Sequence, residues 1–387
     1  MRKTEKSKTN KKIEETIAKV FAAVLLILIV LNLLIPDRKT SENENRMLTQ
    51  RPKLTVSSLL SVDFMIKYES YLADQFVGRD VWRSFNVAIR RLGGSKEIED
   101  VFIGKDEQLL EDIVVPQQEI LNENMAAIKA FAKNYPDNSI HMMLVPDAAA
   151  VLTDKLPALA VTADQGKMFS QVKRELGDSV IWLDAAGVLK DHKKENIYYK
   201  TDHHWTSLGA FYVFSEVASQ MNIKADVSSM FVSYPVSTTF NGVLASRSGC
   251  RQGVKETIEI YVAKETDNDV VVSYVDEQKK TTSLYDSSKL ETEDQFAVFL
   301  GGNTSEIDIK TVSESTRRLL VIKDSFANSF IPFLTPFFRE IVVVDPRYYS
   351  GTIQDIMETY RITDTLFLYS GNTFFQDNNI SGVLGSE

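Results

Sequence analysis

The chain has 387 residues, 44% hydrophobic and 25% charged, an ordinary globular composition with room for a substantial core. Outside residues 1–19, which hold seven Lys/Arg and three Asp/Glu, the balance is 37 against 50, a net −13 that argues against nucleic acid as a partner. The single cysteine, Cys250, excludes an intramolecular disulfide and any metal site built from thiolates. At the N-terminus Arg2, Lys3, Lys6, Lys8, Lys11 and Lys12 face one acid, Glu5, and Val20 to Ile35 then reads VFAAVLLILIVLNLLI. Counted from Ile17, residues 17–35 are long enough to cross a bilayer as a helix, with Lys19 reaching the interface. A cleaved signal peptide fits less well, because the stretch is long and Pro36-Asp37-Arg38-Lys39 follows without a small-x-small pair. The expectation is a cytoplasmic tail over 1–16, a signal anchor over 17–35, and an extracellular remainder.

Residues 36–58 are polar and contain Pro36 and Pro52, as an extended linker would. From Leu59 to Arg91 the spacing of Phe64, Tyr68, Tyr71, Leu72, Phe76 and Trp82 predicts helix, broken near Gly78 and ended by Gly93-Gly94. Linker and helical segment together cover 36–97. The pattern over 98–387 is α/β. Apolar, β-branched runs at Ile140–Val145, Val180–Leu183, Leu319–Ile322, Ile341–Val344 and Leu366–Tyr369 alternate with helical patterns at Gln117–Asn134, Gln165–Leu176, Ser207–Met221 and Thr352–Tyr360. Such runs suit strands buried on both faces, so a layered domain with a central, mainly parallel sheet is expected, with its ligand beyond the carboxyl ends of the strands. Residues 225–318 are rich in Ser, Thr and Val, with alternation at Thr257–Val262 and Val270–Val275, and read as a β-rich insertion.

Two segments carry chemistry. Thr201-Asp202-His203-His204-Trp205 precedes the helix at Ser207. One imidazole there is suited to act as a base oriented by Asp202. Alternatively Asp202 and the histidines are metal ligands, although only His141 and His192 remain to complete a set and neither has ligand-like spacing. A third reading is a helix start capped by Thr201 or Asp202 with stacked aromatics. The second segment, Lys323-Asp324-Ser325-Phe326, follows a predicted strand, where a strand-to-helix turn exposes a hydroxyl and aims amides at a developing oxyanion. A serine at such a place is also a common helix cap.

The blocks YESYLADQFVGRDVW (68–82), VFIGKDEQLLED (101–112), LVPDAAAVL (144–152), YKTDHHWTSLGA (199–210), LGGN (300–303), LVIKDSFANSFIPFL (320–334) and VVVDPRYY (342–349) resemble the bacterial DHHW family. Through it they resemble the SGNH-hydrolase-like domains of the alginate O-acetyltransferase group. The resemblance spans about 40–387 and implies an SGNH-like α/β fold. It also implies transfer of acetyl groups to an exported polysaccharide, received through a membrane-bound O-acyltransferase partner, with no cofactor. Carried over, Ser325 is the nucleophile, His204 the base and Asp202 its orienting acid, in the family's order of Asp-x-His before Ser.

His203 and Trp205 then stand as structural or substrate-side groups. Lys323 departs from the usual Gly-Asp-Ser. The oxyanion asparagine has Asn303 as first candidate and Asn372 as second. Arg347, just past a strand end, either binds a sugar or carboxylate or pairs with Asp345. A carbohydrate esterase with the same triad, or a polysaccharide-binding protein without activity, are the alternatives to the transferase.

Overall fold

A computed structural model of the chain describes residues 2–38, 40–41, 46–53, 63–251, 253–264 and 269–385. Of the expected linker, residues 39, 42–45 and 54–58 lie outside the described residues, as does the start of the expected helical segment, 59–62. The chain divides into two compact units, Met1–Gly93 and Gly94–Glu387.

Among the described residues the first unit has the helices α1 (Arg2–Leu34), α2 (Asp63–Gln75) and α3 (Arg79–Leu92). Within α1 the stretch Ile13–Leu34 is long and apolar enough to cross a membrane, and none of it is buried. Gly78 separates α2 from α3 at φ +66°, a left-handed conformation that a β-carbon would strain. The expected break falls there.

The second unit is built on a mixed eight-stranded sheet. In chain order its strands are β1 (Ser139–Val145), β2 (Ile181–Trp182), β3 (Val270–Tyr274), β4 (Lys279–Thr281), β5 (Glu306–Thr311), β6 (Arg318–Lys323), β7 (Glu340–Val344) and β8 (Asp364–Ser370). Their order across the sheet is β4-β3-β5-β7-β6-β8-β1-β2. The five strands from β7 to β2 are parallel, and β5, β3 and β4 extend them antiparallel.

Side chains alternate across the plane, so each parallel strand feeds two cores. In β6, Leu319 and Val321 join one cluster while Leu320 and Ile322 join the other. Burial on both faces is why these strands read as continuous apolar runs.

The expected insertion over 225–318 resolves into two different things. Phe231–Phe240 and Glu256–Ala263 form an antiparallel hairpin, whereas β3, β4 and β5 are part of the main sheet. The alternation of β3, with Val270, Val272 and Tyr274 inward and Val271 outward, marks a strand covered on one side. It carries no information about which sheet the strand belongs to.

β6 is the pivot. Its successor β7 pairs on one side and β8 on the other, so the strand order reverses at β6 and opens a crevice beyond its carboxyl end. Ser325 stands two residues past β6. Beneath it lies a cluster of rings in which Phe333 packs against Phe211, Phe214, Phe231, Tyr261 and Phe330. Phe333 is fully buried, so Phe333→Ala should lower the unfolding free energy by roughly 3–5 kcal/mol, read as an earlier urea midpoint at unchanged m-value.

Candidate active site

The loop that carries Asp202 and His204 is closed by an isolated bridge between Tyr198 and Trp205 and leads into the helix Ser207–Val217. Thr206 caps that helix, its Oγ1 accepting from the Gly209 N–H at 3.2 Å. The capping role read for Thr201 or Asp202 therefore falls to Thr206, and the two residues upstream do other things. Glu256, the first residue of its strand, accepts the Lys200 N–H at 2.6 Å, the Thr201 N–H at 2.8 Å and the Thr201 hydroxyl at 2.5 Å. Thr201 Oγ1 in turn accepts from the Gly242 N–H at 2.9 Å. The loop is thus strapped to the segment 242–256.

Asp202 is buried, with 4% of its surface exposed. Its Oδ1 accepts from His204 Nδ1 at 2.6 Å and from the His204 backbone N–H at 3.0 Å, and its Oδ2 accepts from the Val243 N–H at 2.9 Å. A carboxylate only accepts, so the His204 proton sits on Nδ1 and the Nε2 lone pair is free. Nε2 lies 2.8 Å from Ser325 Oγ. Asp202, His204 and Ser325 are therefore joined in one hydrogen-bonded chain. The imidazole is held from the side by Phe296, whose ring lies parallel to it at 3.7 Å between centroids, and by His203 at 4.0 Å.

Burial lowers the His204 pKa, and the neighbouring His203 lowers it further against the pull of Asp202. Both effects favour the neutral form of the imidazole. Burial opposes the charge on Asp202, but His204, His203 and the donated hydrogen bonds outweigh it and keep the group ionised below the usual carboxylate range.

Ser325 opens a short 3₁₀ turn, Ser325–Ser329. Asp324 caps that turn from full burial. Its Oδ1 takes the Phe326 N–H at 3.0 Å, while its Oδ2 takes the Ser370 N–H at 3.0 Å and hydroxyl at 2.7 Å. The Ala327 N–H bonds to the Asp324 carbonyl, leaving the Ser325 N–H as the first-turn amide without a partner among these contacts. Ser325 itself is half-buried and reachable.

Lys323 lies beneath this turn with its ammonium buried. Nζ donates to Asn328 Oδ1 at 2.9 Å and Asn303 Oδ1 at 3.1 Å, and faces Asp345 Oδ2 at 3.5 Å. Burial lowers its pKa, while Asp345 opposes that shift. Asn303 Oδ1 also accepts from Asn328 Nδ2 at 3.2 Å, so its carboxamide is oriented by two donors that flank Ser325 in sequence.

The remaining residues singled out in the sequence sit elsewhere. Arg347 is paired with Asp345 through Nε at 2.8 Å and Nη2 at 2.7 Å, so of its two expected roles the structure has the ion pair. Trp205 is fully buried and donates from Nε1 to the Phe326 carbonyl at 2.9 Å, so it faces the fold and not a substrate. Asn372 accepts the Val114 N–H at 3.0 Å and donates to the Asp112 carbonyl at 2.8 Å, and its own N–H goes to Asp147. Among the described residues no hydrogen bond joins Asn303, Arg347 or Asn372 to the Asp202–His204–Ser325 chain. His203 is partly open, its Nδ1 3.9 Å from Asp202 Oδ1.

Asp202, His203 and His204 bring three potential ligand atoms within 4.8 Å, but the short Asp202–His204 contact is a hydrogen bond that a metal would displace. Asp147, two residues past β1, is buried. Burial and nearby Glu111 push its pKa up to about 7, against hydrogen bonds from Gln165 and Asn372.

A profile described as DHHW protein matches residues 111–344, more than half of the chain. The chain belongs to the DHHW family. Its fold is similar to that of a DHHW family protein from Eubacterium siraeum, with a TM-score of 0.65 at 22% identity, covering 75% of this chain and 98% of that one. It is also similar to Bacillus cereus PatB1 in a structure with a sulfonyl adduct, with a TM-score of 0.60 at 19% identity, covering 72% and 98%. A second PatB1 structure gives 0.57 at 20% identity, covering 70% and 96%. A search of curated proteins finds no match.

A β-carbon at Gly242 would lie 2.3 Å from the Asp202 β-carbon and 2.5 Å from its Oδ2, forcing the carboxylate to move. Gly242→Ala should slow sulfonyl fluoride modification of Ser325 roughly 10²-fold, the order expected for ångström-scale misplacement. The rate should also rise with pH through one step centred below 6.5, the ordinary imidazole value, because protonated His204 cannot accept the serine proton. A midpoint above 6.5, followed by intact mass against time, would contradict the assigned environment.

Proposed function

We propose that this DHHW protein is a membrane-anchored serine O-acetyltransferase that modifies hydroxyls of an exported polysaccharide outside the cell. The observation that carries the reading is the hydrogen-bonded chain from Asp202 through His204 to Ser325, set at the point where the strand order of the sheet reverses. A hydroxyl joined to a neutral imidazole, itself oriented by an ionised carboxylate, is an activated nucleophile.

In the first half-reaction His204 Nε2 takes the Ser325 proton and Oγ attacks the carbonyl carbon of an acyl donor. The tetrahedral oxyanion forms against the Ser325 N–H and the amide of Asn303. His204 returns the proton to the leaving group, and acetyl-serine remains. A sugar hydroxyl then gives its proton to His204 and attacks the acyl carbon. Collapse of the second oxyanion releases the sugar ester and restores Ser325. Asp202 stays ionised throughout, holding the imidazole and its transient charge.

The anchor reading rests on the apolar stretch Ile13–Leu34 and on six Lys/Arg within residues 1–12, a charge bias that keeps the N-terminus in the cytoplasm. Outside the cell acetyl-CoA is absent, so the donor has to be delivered across the bilayer. A membrane-bound O-acyltransferase, the partner implied by the family resemblance, fits that need.

The test is intact mass of the soluble part, residues 36–387, after incubation with an activated acetyl ester. The expected result is one added acetyl group mapped to Ser325, absent from Ser325→Ala and slowed roughly 10²- to 10⁴-fold in His204→Ala. Transfer to an added oligosaccharide identifies a transferase, whereas release as free acetate alone identifies an esterase. If neither an adduct nor ester turnover exceeds the Ser325→Ala background, the serine-enzyme reading fails.

A further inference from the structure

Helix α3 reads RDVWRSFNVAIRRL. At 100° per residue Val81, Trp82, Phe85, Ala88, Ile89 and Leu92 fall within a sector of about 120°. The five large ones are open to solvent, with Val81 72% exposed, Trp82 52%, Phe85 59%, Ile89 52% and Leu92 89%. A helix that packs on a globular core turns such a face inward. Here the reverse holds. The buried apolar residue is Val87, on the opposite side, which also carries Arg79, Arg83 and Arg90. Single exposed apolar side chains are ordinary, but a continuous face of this kind has a use.

Hydrogen bonds show where that face lies along the chain's path. The corner between α2 and α3 is tied to the end of the apolar stretch of α1. The Val77 N–H donates to Asn32 Oδ1 at 2.7 Å, and Asn32 is two residues from the end of Ile13–Leu34. Gln75 exchanges two hydrogen bonds with the Arg38 backbone, both at 2.9 Å, and the Tyr71 hydroxyl donates to Asp37 at 3.1 Å. When Ile13–Leu34 spans a bilayer, this corner is held at the level where the span leaves the hydrocarbon. α3 begins two residues after Val77, with its apolar face uncovered.

Its composition suits that level. Trp82 is of the type enriched at the membrane–water interface. Four arginines stand against one aspartate in 14 residues, in a region outside the basic tail that is net acidic. A basic polar face opposite Trp, Phe and Leu is the pattern of a helix lying in the plane of an anionic bilayer.

We infer that α3 is an in-plane membrane-surface helix, with Val81, Trp82, Phe85, Ile89 and Leu92 set among the lipids and the exposed Arg90 and Arg91 against anionic headgroups. The inference rests on the anchor reading of α1. It assigns α3 a lipid ligand and makes the membrane attachment two-part, one helix across the bilayer and one along its surface.

The test uses the full chain in vesicles containing phosphatidylglycerol. The chain has three tryptophans, Trp82, Trp182 and Trp205, and only Trp82 lies in the first unit. Lipids carrying bromine near the glycerol end of their acyl chains should quench part of the emission, and Trp82→Phe should abolish that loss. Equal response of the wild-type chain and Trp82→Phe would overturn the inference. So would a Trp82 signal that ignores brominated lipid but changes with the protein-to-lipid ratio, which would assign the face to a second copy of the chain. Flotation separates the two readings. A chain that fails to float with vesicles removes the anchor and the surface helix together, whereas one that floats without quenching of Trp82 removes the surface helix alone.

Discussion

A carboxylate taken out of water must find donors for its oxygens, and Asp202 finds them in two separated segments. His204 supplies two of them and the N-terminus of the helix Val243–Ser248 the third. Much of the surrounding structure follows from that requirement. Gly242 lacks a side chain because Asp202 occupies the space. Glu256 gathers the Lys200 and Thr201 amides so that the loop arrives in one conformation. The same hydrogen bonds that make burial of the charge tolerable fix the ring of His204 relative to Ser325. Stability and reactivity of the site thus share one set of contacts.

A second constraint acts on the serine's own turn. Lys323 directly precedes Asp324-Ser325, and its buried ammonium is tolerated because Asn303, Asn328 and Asp345 all face it. Arg347 neutralises the other side of Asp345. The cation therefore does more than fill space, because it ties the segment before Ser325 to the one after it and to the Gly301-Gly302-Asn303 turn. Trp205 adds a connection from behind, linking the histidine loop to the Phe326 carbonyl.

The parallel strands and the Asp-x-His and Ser segments were legible because each carries its own signal. Strands β6 to β8, buried on both faces, leave uninterrupted apolar runs. A base two residues from its acid, and a serine just past a strand, are local patterns as well. The alternation of β3 reports a covered face and says nothing of the partner strand, which is why the sequence alone does not place it in the main sheet. Glu256, Gly242 and Phe296 were invisible as site residues because each reaches the site only through tertiary contact. Trp205 and Asn372 show the opposite limit. Being adjacent to a motif or past a strand end does not determine which way a side chain points, and both point into the fold.

The face-on contact between Phe296 and His204 has an electrical side. Their planes lie within 10° of parallel at 3.7 Å, so the ring covers one face of the imidazole and keeps water from it. For neutral His204 that contact is only van der Waals and desolvation. Once the imidazole carries a proton, it becomes a cation held over the negative face of an aromatic quadrupole, an attraction worth about 0.5–2 kcal/mol. The ring that disfavours charge on the resting base is therefore also the neighbour placed to steady that charge while it lasts.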